Sequence, residues 1–171
     1  MACNQTLSGI PRDCDSARGG IVEIAVANYS DVSNITVTDG KVTAIEMAAS
    51  AKFHRYAFRK DTGSMTSTRT IEPTSGSNYV STDVAIQLAG MNTAKRIEME
   101  ALAAVDARVL VHDRNGRWWF LGDEEPVNAT AGDGTTGTAI GDANKYGLTL
   151  NEVSSHFPYE VDAKIVDALI A

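Results

Sequence analysis

Apolar and polar residues alternate most strictly in "NYVSTDVAIQLAG", residues 78–90, where Val80, Thr82, Val84, Ile86 and Leu88 fall at period two. That period predicts a strand with one buried face. "IVEIAVAN" at 21–28 is short and β-branched and reads as a strand. In "NITVTDGKVTAIEM" the pair Asp39-Gly40 separates Ile35 and Val37 from Val42 and Ile45. An Asp-Gly pair accepts the positive φ of a type I′ turn, so this segment predicts a hairpin. "KFHRYAFRK" at 52–60 predicts a strand with Phe53, Arg55, Ala57 and Arg59 on one face and His54, Tyr56 and Phe58 on the other. "SMTSTRTIEP" alternates Ser, Thr and Arg and predicts a strand with a wet face.

The period then changes. "NTAKRIEMEALAAVDA" lacks Gly and Pro and is rich in helix formers, which predicts one helix over about residues 92–106. Asn92 or Thr93 caps it, and Ala94, Ile97, Ala101, Leu102 and Val105 form its apolar stripe. "ARVLVHDRNGRWWFLG" predicts a second hairpin turning at Asn115-Gly116, with Val109 and Val111 opposite the Trp-rich strand. "YGLTLNEVS" and "EVDAKIVDALIA" read as further strands, the second with a short helix as its alternative. Short strands, regular turns and one lone helix predict a mainly β fold. The expected architecture is an antiparallel β-sandwich or partial barrel with one flanking helix and long polar loops. An irregular arm over 1–20, punctuated by Gly9, Pro11, Gly19 and Gly20, precedes a single domain over 21–171.

Bulk composition narrows the function. The 171 residues include 43% hydrophobic and 22% charged, enough for a packed core. A net charge of −7 argues against a protein whose main task is gripping nucleic acid. No apolar run approaches the ~20 residues that span a bilayer, and the N-terminus lacks the basic-then-apolar pattern of a secretory signal. Residence inside a cell and reduced Cys3 and Cys14 follow as expectations. The sequons at Asn4, Asn28, Asn34 and Asn128 then read as accidents of a Ser- and Thr-rich chain.

Ligand chemistry finds little support. The Gly-Asp stretch between Gly122 and Lys145 has no Lys and Ser/Thr at P-loop spacing and no dinucleotide-binding fingerprint. Asp142, Asn144 and Gly147 match three positions of a helix–loop–helix calcium site, but Tyr146 and Val153 occupy ligand positions. The stretch reads as a connection between strands, and no cofactor or metal is expected. His54, His112 and His156 lie far apart in sequence, and no serine or cysteine sits in a nucleophile-elbow context. No catalytic residue is expected.

Partner chemistry is better represented. Lys52, Arg55, Arg59 and Lys60 crowd one short strand of an acidic protein. They read either as an edge protected by charge or as a socket for an acidic loop such as Asp123, Glu124 and Glu125 of a neighbouring copy. Trp118 and Trp119 point to opposite faces, so one is core and the other, taken as Trp119, lies at a surface or interface.

The C-terminal third resembles the tail tube (major tail) proteins of bacteriophages, in the version found in phages of gut Bacteroidetes. The matching pieces are Asp113, Asn115, Gly116, Trp118 or Trp119, Leu121 and Gly122, then Gly141, Asp142, Asn144, Tyr146, Leu148, Thr149 and Leu150. Lys145 departs from the Gly of that pattern. The resemblance implies a β-sandwich whose open edges are completed by copies in hexameric rings, stacked into a tube with a DNA-conducting lumen. It implies a virion location after assembly in the bacterial cytoplasm, contacts with other tail proteins and passing DNA, and no membrane or enzymatic role. Long segments at about 61–77 and 122–145 are then expected to order against neighbours. A connector or terminator ring on a similar sandwich is the alternative. A soluble binding module, or a small hydrolase using Asp142 and His156, is a third reading.

Overall fold

A computed structural model describes residues 6–171. Two sheets face each other. The larger has seven strands and the smaller four. Residues 6–20 form an exposed irregular arm, with Cys14 a free exposed thiol. Cys3 and Asn4 lie outside the described residues.

The chain enters the larger sheet at β1 (Ile21–Asn28), makes a single 3-10 turn, and continues through β2 (Val32–Thr38) and β3 (Lys41–Met47). Asp39 and Gly40 have φ of 52° and 74°, the left-handed pair that a type I′ turn requires. Strand β4 (His54–Ala57) pairs with β1. It is shorter than the predicted 52–60, because the chain bends at Asp61, whose φ is 63°, and turns into the other sheet.

There β5 (Gly63–Glu72) and β6 (Ser77–Ala89) form a long hairpin, paired from Gly63↔Ile86 to Glu72↔Ser77. The segment at about 61–77, expected to order against a neighbour, is therefore largely ordered within the chain as β5. The helix α1 (Thr93–Ala104) follows, capped by the Asn92 side chain, which accepts a hydrogen bond from the Lys95 amide at 2.9 Å. Its contact strip is narrower than the predicted stripe. Met99 and Leu102 are buried while Ile97 is 53% exposed, because the helix leans on the other sheet along one line only.

Strands β7 (Ala107–Asp113) and β8 (Trp118–Leu121) return to the larger sheet. Beyond the His112↔Trp118 pair the Asp113 amide donates to the Arg117 carbonyl at 2.9 Å, which leaves a three-residue loop, 114–116. Only Gly116 takes a positive φ, 79°, so the turn is the bulged kind and not the two-residue kind that Asn-Gly suggests. The 122–145 connection is not wholly irregular. It holds β9 (Asn128–Thr135), which pairs with β10 (Lys145–Ser154). "NATAGDGT" carries no apolar alternation because main-chain bonds on one side hold it in place.

The last segment is β11 (Tyr159–Val161) followed by α2 (Ala163–Leu169), so the short-helix alternative holds and the described residues include two α-helices. Asp162 caps α2 by accepting from the Lys164 amide at 3.1 Å. Val166 and Leu169 are buried one turn apart, a helical spacing. The larger sheet is ordered β2-β3-β11-β8-β7-β1-β4 and the smaller β5-β6-β10-β9. All strand pairs are antiparallel except β3 with β11.

Two cores result. Between the sheets, Ile24, Val26, Val109, Val111 and Leu121 meet Val84, Ile86, Leu88, Leu148 and Leu150, with Met99 and Leu102 closing one side. On the back of the larger sheet, Ala25, Leu110, Trp118 and Phe120 pack with Phe53, Val166 and Leu169. The larger sheet is thus buried on both faces, which is why β1 and β7 read as continuous apolar runs. The smaller sheet has one face in the core and one in the open, which is why β6 alternates so strictly.

Candidate subunit interface

Strand alternation assigns the open face of the smaller sheet. It carries Ser64, Thr66, Thr68, Thr70 and Glu72 from β5, and Ser77, Tyr79, Ser81, Asp83, Ala85, Gln87 and Ala89 from β6. From β10 come Lys145, Thr149, Asn151 and Val153, and from β9 Ala131, Asp133 and Thr135. Side-chain bonds agree. The Asn151 amide donates to Ser81 Oγ at 2.9 Å and to Asp83 Oδ1 at 2.8 Å. The Asp133 carboxylate lies over Gly147, where any Cβ would collide with it. The face is rich in hydroxyl and amide groups and has three carboxylates, Glu72, Asp83 and Asp133, against one ammonium, with Tyr79 and Val153 as its large apolar side chains.

The sheet edges differ in kind. β5 and β9 bound the smaller sheet, ten and eight residues long. Neither contains proline or lysine. β4 and β2 bound the larger sheet. β4 has four residues and basic neighbours, and β2 carries two register breaks, at Val32/Asn34 and Thr36/Val37. Short, charged or bulged strands are the usual defences against unwanted pairing. The larger sheet is therefore the better defended, since the smaller has two long edges with one bulge, at Thr130 of β9.

The predicted interface residues split. The Lys52 ammonium donates to the Ala168 carbonyl at the C-terminal end of α2. Arg55 pairs with Glu23 at 3.2 Å, and Glu23 also meets His112 Nδ1 at 3.1 Å. Lys52 and Arg55 are thus committed within the chain. Arg59 and Lys60 are exposed and have no ion-pair partner among the described residues. Arg59 lines a cavity of about 420 Å³ with Thr62, Gln87, Asp142, Asn144 and Lys145. Trp119 is half-buried against the inter-sheet core and donates from Nε1 to Asp113 Oδ2 at 3.0 Å. Sequence reasoning sent one tryptophan to a surface or interface. The second core gives Trp118 its own burial on the back face, so neither ring lies bare.

Asp123, Glu124 and Glu125 also divide. Asp123 Oδ2 accepts from His156 Nε2 at 2.9 Å, while His156 Nδ1 donates to the Phe157 carbonyl at 2.8 Å. A carbonyl and a carboxylate both only accept, so both ring nitrogens carry protons. Burial pulls the His156 pKa down, but the Phe157 carbonyl and Asp123 outweigh it and the net shift is upward. Glu124 accepts from the Ser155 hydroxyl at 2.5 Å and amide at 2.7 Å, bonds that hold its pKa below the usual carboxylate range. Glu125 is exposed.

Sequence reasoning passed over Glu152. It is 2% exposed, on the core side of β10. Its Oε1 accepts from the Gly122 amide at 2.6 Å and its Oε2 has no partner. Burial pushes its pKa up to about 7. The signal available was its place at the end of the Leu148, Leu150, Glu152 alternation, an inward position held by an acid.

The hydrolase reading fails on geometry. Asp142 precedes β10 and His156 follows it, so the ten residues of Lys145–Ser154 hold them roughly 30 Å apart. Asp142 instead organises its own loop, accepting from the Thr138 and Ala139 amides at 2.8 and 2.7 Å, which lower its pKa. Asn144 accepts from the Met91 amide at 2.7 Å. Gly147 lies within β10, so the residues of the partial calcium pattern do not form a loop together. No helix among the described residues is long and apolar enough to cross a membrane. No family model matches the chain, and searches of curated proteins and of solved structures found no match either.

Proposed function

We propose that this chain is a structural subunit that closes its four-stranded sheet with copies of itself, forming stacked rings around a DNA-conducting lumen, as in a bacteriophage tail tube. The observation that carries the reading is the pair of long edges, β5 and β9, free of proline and lysine and broken by one bulge, on one sheet with a polar open face. Every pairing in that sheet is antiparallel. Four alternating strands leave β5 and β9 running in opposite directions. A copy rotated about an axis along the strands therefore joins β9 to β5 antiparallel, and the closed barrel has no edge. At ~4.8 Å between strands and ~40° of tilt, six such sheets make a barrel roughly 45–50 Å across the backbone, wider than barrels that hold only water.

The open face then lines the lumen. Its hydroxyl groups and net negative charge give a phosphate backbone nothing to release counterions for, so DNA slides without sticking. The chain performs no catalysis in this reading. Its partners are itself, other tail proteins and transient DNA, and its place is the virion.

Negative-stain microscopy of the concentrated purified protein tests this. Tubes or stacked rings are the expected result. Rings that never stack favour a connector or terminator role, and monomers at all concentrations refute self-closure.

A further inference from the structure

The strands give the molecule two distinct ends. At one end lie the β4–β5 connection, the β7–β8 turn, the base of the arm and the loop before β10. They are held together by the Arg114–Asp61 pair at 2.7 Å, the Arg114 amide donating to the Gly20 carbonyl, and the cavity shared by Arg59 and Lys145. At the other lie the β5–β6 turn, the 122–127 segment and the β10–β11 turn, held by Ser155 to Glu124 and by Arg69 Nη2 to the Ser155 carbonyl at 3.4 Å. β6 alone, Ser77–Ala89, separates them by about 40 Å.

Their charges oppose. At the first end Asp61 is answered by Arg114, Asp142 by its loop amides, and Asp113 by the amides of Asn115 and Arg117 and the Trp119 indole. Arg59, Lys60 and Lys145 have no ion-pair partner among the described residues. At the second end His156 answers Asp123, and Arg69 is spent on Asn78, Ser155 and the Phe157 ring. Glu72, Glu125 and Asp106 are exposed there with no cationic partner, and Glu124 is 42% exposed.

We propose that the end bearing Arg59, Lys60 and Lys145 receives the end bearing Glu72, Glu124 and Glu125 of a second copy, joining copies head to tail along the strand direction. Complementary patches on opposite ends cannot meet within one chain. Nor does an end-on two-fold dimer join them, since there each end faces its own kind. A translated copy satisfies both, and such a contact is open-ended, adding subunits without limit. Closing edges makes a ring but offers nothing between rings. The charged ends supply that second contact, at right angles to the first, and the inference rests on the ring reading only in assigning it to stacking.

Two paired variants test it, by electron microscopy and sedimentation velocity. Glu72→Lys with Glu125→Lys makes both ends basic, and Arg59→Glu with Lys60→Glu makes both acidic. Each alone is expected to form rings that do not stack, and the equimolar mixture to form tubes of alternating rings. Wild-type tubes are expected to shorten as salt rises from about 0.05 to 1 M, where the screening length drops to ~3 Å. Variants that stack alone as wild type does, or tubes indifferent to salt, overturn the proposal. The salt series keeps the test decisive if a variant misfolds. Single-file fibres without rings would refute ring closure and uphold the end contact. Neither rings nor end-to-end association would refute both.

Discussion

The two sheets of this molecule are built from similar strands yet solve opposite problems. The seven-stranded sheet is finished: its faces carry separate cores, and its borders are four basic-flanked residues on one side and a twice-broken strand on the other. The four-stranded sheet is more open: one face is core, the other is hydroxyl-rich and exposed, and both borders are long, with a single bulge at Thr130. The lesson is that burial and edge protection are spent where the fold must be stable alone. They are sparser where, in the proposed assembly, a copy completes the sheet.

The largest effect should come from blocking one edge of each sheet. Thr130 occupies the bulge of β9 and Ser33 that of β2, positions where an edge strand tolerates proline. Thr130→Pro should abolish rings and leave monomers in sedimentation velocity. Ser33→Pro should leave assembly intact. The reverse result would break the comparison.

Next come the faces. Phe120 is 1% exposed in the back core, and Phe120→Ala should cost about 3–5 kcal/mol in denaturant unfolding of the dilute protein. Thr68→Ala, on the open face, should stay within ~0.5 kcal/mol. A comparable loss at both positions would mean that the open face is buried in the monomer too.

The joint between the sheets, Glu152 to Gly122, should be pH-sensitive. The folded pKa of Glu152 lies above its ordinary value of 4.5, at about 7, so the folded state binds the proton more tightly. Stability therefore falls as pH rises from about 4.5 to 7 and stays low above. The raised pKa of His156 acts in the same direction, since its contribution is lost as pH rises through its folded value. The Glu152 contribution is on the order of 3 kcal/mol between pH 4.5 and 8. Glu152→Gln should flatten most of that slope in melting temperature. An unchanged slope would place the titration elsewhere. The smallest effect belongs to the cap of α1: Asn92→Ala should cost about 1 kcal/mol, measured the same way.

Much of this was readable along the chain. The β1, β6 and β10 strands, the Asp39-Gly40 turn and α1 with its Asn92 cap follow from local periodicity and turn chemistry, and each was placed within a few residues. β9 was missed, because a Gly-Thr-Asp strand with no buried face has no period to detect. The basic strand read as a socket for an acidic loop is divided by the fold. Arg59 and Lys60 remain free, but Lys52 and Arg55 find partners on α2 and β1 that no sequence window contains. Glu152 escaped notice because its character depends on what covers it.

By itself the sequence determined which segments pair and which face of each is apolar, since those depend on neighbours two to four residues away. Only the tertiary structure decided that one sheet would have two cores and the other an open face. It also set Arg59 and Lys145 around one cavity and left Glu72 and Glu125 at the opposite end. These are matters of which distant strands adjoin, and burial, charge balance and free edges are properties of that arrangement.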